Sequence, residues 1–143
     1  MIYAKKVEIR WSDLDPNYHV RHSCYYDWAA YCRLAFMEEN GLTTALMQQH
    51  HFGPIIFREE CVFKREIKFG DTVEIRLFLK KVTADYRKWT MQNEIWVNGD
   101  TLAALLTIDG AWLDTQLRKV TAPPELFREG FAAIPHATDF QMD

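Results

Sequence analysis

From Gly53 to about Asp114 the chain is written almost entirely in the two-residue period of β-structure. Val73, Ile75, Leu77 and Leu79 alternate with Glu74, Arg76, Phe78 and Lys80, and Trp89, Met91, Asn93, Ile95 and Val97 carry the pattern up to Asn98-Gly99. Successive side chains of a strand point to opposite faces, so these segments make a sheet with one apolar face that has to be covered. Asn-Gly between two such runs is the strongest short hairpin signal, and Gly70-Asp71 and the stretch around Ala84-Asp85 mark the other turns. An earlier strand over residues 3–11 sets Tyr3, Lys5, Val7, Ile9 and Trp11 against Ala4, Lys6, Glu8 and Arg10. The expectation is an antiparallel meander of about five strands.

Only one segment can cover that face. Tyr25, Trp28, Ala29, Cys32, Ala35 and Phe36 recur at helical spacing, while Asp27, Arg33, Glu38 and Glu39 fall mostly off the stripe. Ser23 or a neighbour can cap the start of this helix, and Asn40-Gly41 supplies the left-handed residue that commonly ends one. A shorter helix over about Thr43–Gln49 follows, and Pro123-Pro124 opens a short, weakly patterned tail. Strand, long helix and then a run of strands is an α+β arrangement, with the sheet curled around a central helix in one domain spanning residues 1–143.

The 143 residues are 48% hydrophobic, enough for a sizeable core. Seventeen basic against 20 acidic side chains give a net charge of −3, which supplies no global attraction to nucleic acid or to an anionic membrane. The opening Met1–Lys6 has no apolar stretch behind its charges, and the run Leu102–Leu106 is far too short to span a bilayer, so a cytoplasmic protein is expected. Cys24, Cys32 and Cys61 match no zinc or redox spacing and read as buried thiols.

The chemistry concentrates between the first strand and the long helix. Ser12-Asp13-Leu14-Asp15-Pro16-Asn17 is rich in turn residues, and Pro16 keeps Asp15 out of helical angles. A carboxylate entering a helix sits beside unpaired backbone N–H groups, which can also hold the oxyanion formed when a carbonyl is attacked. An aspartate in such a place also serves as a simple cap or turn residue. Asp15, His19 and His22 lie within eight residues, with His50-His51 further on, but no zinc-binding spacing occurs and no metal is expected.

The run Trp11-Ser12-Asp13-Leu14-Asp15-Pro16-Asn17-Tyr18-His19-Val20-Arg21-His22-Ser23-Cys24-Tyr25-Tyr26 resembles the opening motif of the 4-hydroxybenzoyl-CoA thioesterase family, roughly D-x-D-x-x-G-H-V-N-N-x-x-Y. Phe63 to Ile75 is similar to that family's strand, Gly-Asp turn and next strand. The resemblance implies the hot-dog fold and hydrolysis of an acyl-CoA thioester, with Asp15 as nucleophile or general base and the His22 backbone N–H as oxyanion donor. It implies a role for His19 in orienting the loop, and the His22 side chain is placed where it could move a proton. Tyr18 stands where the family has glycine and Arg21-His22 where it has Asn-Asn, which puts catalytic efficiency and substrate type in question. Tyr18, Arg21 and Tyr25 are the candidate substrate contacts, and Arg87 and Lys88, beside a turn, are the candidates for coenzyme A phosphates. No cofactor is implied beyond the coenzyme A of the substrate. Paired sheets imply a homodimer or a tetramer of dimers. The alternative reading is a non-catalytic module that binds acyl-CoA or acyl-carrier protein.

Overall fold

The computed structural model describes every residue from Met1 to Asp143. Strands β1 (Tyr3–Val7), β2 (Phe52–Phe63), β3 (Val73–Val82), β4 (Lys88–Val97) and β5 (Thr101–Asp114) form one antiparallel sheet in the order β1-β3-β4-β5-β2. Helix α1 (His22–Glu39) lies in its concave face. The apolar stripe of α1, from Cys24 and Tyr25 through Trp28, Ala29 and Cys32 to Phe36, is buried against Ile75, Leu77, Met91, Ile95, Leu106 and Ile108 of the sheet. Asn98 and Gly99 both take positive φ, 54° and 80°, as a tight two-residue hairpin requires.

Several expectations are revised. The first strand stops at Val7, and Trp11 is 86% exposed instead of facing the core. The cause is local: Asp13 accepts the Arg10 N–H and turns Trp11–Asp13 into one turn of 3-10 helix. The strands are not a simple meander, because β2 pairs with β5 rather than with β3. Residues 64–72 carry the chain across the open end of the sheet, tied down where Val20 N–H donates to the Ile67 carbonyl at 2.7 Å. Ser23 does not cap α1; Arg21 occupies the cap position without a side-chain bond, and Thr43 caps α2 (Thr44–Gln49).

The tail is also structured. A two-residue strand, β6 (Lys119–Val120), extends β5, and α3 (Glu125–Ala132) buries Phe127 and Phe131 against Phe52 and Trp112 with ring centroids 4.4 and 5.4 Å apart. Strand β7 (His136–Met142) then pairs in parallel with β3 beyond the end of β1. One margin of the sheet is formed by β1 and β7 together and the other by β2, which pairs only with β5.

Gly110 of β5 sits where Trp89 folds across the sheet: a Cβ there would collide with the Trp89 ring and with the Ile55 carbonyl oxygen. The second obstacle is backbone of the paired strand β2, which cannot rotate away. Gly110→Ala is expected to lower the free energy of unfolding by about 3 kcal/mol, the upper range for overpacking, read from urea titration.

Candidate functional site

Between β1 and α1 the chain makes a small hairpin. Leu14 bridges to Val20, Asp15 N–H donates to the His19 carbonyl at 2.8 Å, and Tyr18 N–H returns to the Asp15 carbonyl at 2.9 Å. Pro16 and Asn17 fill the middle of the turn, as their preferences dictate. A three-residue loop of this kind needs a left-handed residue before the strand resumes, and Tyr18 supplies it with φ 65°. The glycine of the family motif therefore has a conformational explanation, and Tyr18 keeps the loop's backbone. Its side chain is 78% exposed and does not narrow the cavity beside Asp15. Tyr18→Gly is expected to be neutral or to stabilise by up to about 1 kcal/mol, and the β-branched Tyr18→Val to cost about 1–2 kcal/mol, both by chemical denaturation.

Asp13 and Asp15 have separated roles. Asp13 is buried, accepts hydrogen bonds from the Arg10 backbone and guanidinium, and takes the Cys24 thiol at 3.5 Å. Burial pushes its carboxyl up, but the bonds from Arg10 outweigh that and hold it below the usual carboxylate range. It is a fixed post under the loop. Asp15 is half-buried; its Oδ1 accepts from the N–H groups of Asn17 at 2.8 Å and His19 at 3.2 Å, while Oδ2 has no hydrogen-bond partner. One oxygen sets the orientation and the other is left unpartnered.

That carboxylate lines a cavity of about 340 Å³ with His19, Val20, His22, Tyr25, Phe63, Lys64, Arg65 and Glu66. His22 is the first residue of α1, so its N–H has no acceptor within the helix, and none elsewhere in the protein. Tyr25 is held edge-on to Phe63 at 4.9 Å, and burial pushes its phenol up to about 12, which keeps it a neutral donor. His19 Nε2 lies 3.1 Å from Glu66 and bridges through its backbone to Lys68, tying the hairpin to the segment after β2.

Among the sequence-derived candidates, Asp15, His19, His22 and Tyr25 thus share one cavity. Arg21 points elsewhere, clamping Ser12 and Ser23 through its guanidinium. Arg87 and Lys88 sit at the β3–β4 turn, in a separate depression with Thr83, Asp85 and Asp143, where Arg87 pairs with Asp85. The cations that do line the Asp15 cavity are Lys64 and Arg65. Their signal was in the sequence, since the second matched segment begins at Phe63 just before them. The thiols of Cys24, Cys32 and Cys61 are pushed up to about 11, 12 and 11 by burial, which leaves them poor nucleophiles. No group of three or more His, Cys, Asp or Glu side chains is placed to hold a metal ion, and no helix is long and apolar enough to cross a membrane.

No curated protein matches the chain in sequence. Solved structures do. A Staphylococcus aureus protein in complex with CoA superposes with TM-score 0.85 at 17% identity, over 92% of this chain and 82% of its own. The DHNA-CoA thioesterase of Staphylococcus aureus gives 0.80 at 16% identity, covering 92% and 89%. The 1,4-dihydroxy-2-naphthoyl-CoA thioesterase of Synechocystis gives 0.82 at 13%, covering 96% and 100%. At such identities the likeness establishes the hot-dog fold. The family model of the thioesterase-like superfamily matches residues 9–131. Because that match takes in the Asp15 hairpin, the central helix and all four long strands, the chain belongs to the thioesterase-like superfamily.

Proposed function

We propose that the protein hydrolyses acyl-CoA thioesters in the cavity beside Asp15. The observation that carries this reading is the division of the Asp15 carboxylate, on the wall of a cavity at the start of α1: one oxygen pinned by two backbone N–H groups, the other without a partner. The thioester carbonyl enters with its oxygen toward the free N–H of His22, where donor and helix dipole stabilise the developing negative charge. The free Asp15 oxygen either takes a proton from the attacking water or attacks the carbonyl carbon itself. Collapse of the tetrahedral species breaks the C–S bond and releases the coenzyme A thiolate, which takes up a proton; attack by water gives the free acid directly, whereas attack by Asp15 gives a mixed anhydride that water then hydrolyses to the free acid, regenerating the carboxylate. His19 positions the hairpin through Glu66, and Lys64 and Arg65 offer charge to the phosphates of coenzyme A at the cavity's rim. The superfamily match and the fold shared with CoA thioesterases support the substrate class.

The test is thiol release from a panel of short, medium, long and aromatic acyl-CoAs. Turnover of at least one class is expected. Tight binding with no release across the whole panel would instead select a non-catalytic binding module.

The active unit in this reading is a homodimer, or a tetramer built from dimers. β2 is a long edge strand whose outer side is unpaired, and Ile56, Phe57, Val62 and Phe63 along it are between 45% and 59% exposed. An apolar free edge of that length pairs with another strand, and a second copy offers the same edge in antiparallel register. Sedimentation at micromolar concentration is expected to give a dimer or tetramer, and Val62→Lys to shift it toward monomer. A monomeric native protein contradicts the pairing.

A further inference from the structure

The Asp15 cavity holds one buried polar side chain that the hydrolysis does not use. Of the residues lining it, Lys64, Arg65 and Glu66 are exposed and form a rim, whereas Val20 and Tyr25 are buried and form the floor. Tyr25 is 3% exposed, its ring edge-on to Phe63 at 4.9 Å and tilted against Trp28 at 6.0 Å. A phenylalanine would keep those ring contacts unchanged. What distinguishes Tyr25 is its hydroxyl, and that hydroxyl donates to no acceptor in the protein.

The group is neither charged nor sealed in. Burial raises its pKa to about 12, so it carries its proton at any working pH. The Ile67 backbone N–H approaches the phenol oxygen and opposes that rise, so the oxygen's acceptor side is served and its proton is not. The only sealed side-chain nitrogen or oxygen atoms without a partner are the indole nitrogens of Trp89 and Trp112. The phenol oxygen therefore keeps some accessible surface, and Tyr25 lines the cavity that Asp15 lines. An O–H left without an acceptor in the interior costs stability that phenylalanine would avoid, unless a ligand completes it.

Tyr25 follows His22 by three residues, about 4.5 Å along the axis and on the same side of α1, and helical side chains lean back toward the N-terminus. The phenol thus reaches back over the turn that begins with the His22 N–H, beside the seat of the thioester oxygen. With the phosphates of coenzyme A at the cations of the rim, the acyl group is the part that meets the floor.

We infer that Tyr25 selects short acyl-CoA substrates that carry a hydroxyl or oxo oxygen on the third carbon of the acyl group, its phenol O–H donating to that oxygen. This rests on the reading of the Asp15 cavity as the thioester site. The third carbon is within reach of a donor set about one helical turn from the carbonyl oxygen, and Val20 and the Tyr25 ring close the floor behind it, which keeps the acyl group short. A carboxylate on the acyl group is disfavoured, because Asp15 and Glu66 line the same cavity and repel it.

The experiment uses the Asp15→Asn protein, so that ligands survive, and measures by calorimetry its dissociation constants for butyryl-CoA and 3-hydroxybutyryl-CoA, which differ by one hydroxyl. The hydroxylated ligand is expected to bind about fivefold more tightly, the worth of one neutral hydrogen bond. Adding Tyr25→Phe, which keeps the ring between Phe63 and Trp28, should bring the ratio to about one. Its melting temperature should not fall, since the change removes a hydrogen bond that the protein itself does not make. A ratio of one in the parent, a ratio that survives Tyr25→Phe, or a lower melting temperature that reveals an internal partner for the hydroxyl overturns the assignment of Tyr25 while leaving the thioester site standing. Failure of both ligands to bind at all removes the thioester site itself, and this inference with it.

Discussion

Asp15→Asn is expected to lower kcat/KM for acyl-CoA hydrolysis by about 10²–10⁴-fold, with the loss in kcat, and to leave the fold intact. The amide keeps the shape of the carboxylate, and its carbonyl oxygen can still accept the Asn17 and His19 N–H groups that hold the turn. What disappears is the unpartnered oxygen as a base or nucleophile, because the amide nitrogen in its place is a donor only. Asp15→Ala serves as the contrast. It removes the turn bonds as well and should cost about 1 kcal/mol of stability in addition to activity. Equal thiol-release rates in native protein and Asp15→Asn would remove Asp15 from the chemistry and return it to the role of a turn residue.

How much of this was legible beforehand depended on whether a property is local. The strands on either side of Asn98-Gly99 and the stripe Tyr25–Phe36 are periodic, and periodicity survives folding because the side chains themselves decide which face is buried. The left-handed Tyr18 was legible only as a mismatch with the family's glycine; its φ of 65° shows that the turn imposes the conformation whichever residue stands there. Arg33 falls off the apolar stripe and is buried all the same, because helical spacing separates faces but does not say how many are covered. The sheet curls around α1 so that its end strand β2 meets a second side of the helix, and a polar position off the main stripe is still enclosed. β2 itself is hard to read: its register shifts between Ile56 and Arg58, which breaks the alternation and leaves Phe57 exposed. The choice between Lys64-Arg65 and Arg87-Lys88 was beyond any local rule. Which of them lines the Asp15 cavity depends on which chain segment crosses the open end of the sheet beside α1, a consequence of strand order.

The proposed oxyanion donor can be tested apart from any side chain, because it sits at a position where proline is tolerated. His22 is the first residue of α1, its N–H has no acceptor in the protein, and the missing N–H of proline at that position removes no helical bond. Arg21 before it is already extended, with φ −65° and ψ 147°, the conformation that a following proline demands. His22→Pro should therefore fold with nearly native stability while kcat falls by about 10²–10³-fold, the cost of deleting one oxyanion-hole donor. His22→Ala is the necessary partner experiment. It takes away the imidazole and keeps the N–H, so a small effect in His22→Ala beside a large one in His22→Pro assigns the function to the backbone. A large loss in His22→Ala would instead assign it to the imidazole as a proton carrier. Native activity in His22→Pro would show that the thioester oxygen is held elsewhere, and would leave Asp15 without the donor that its place before α1 supplies.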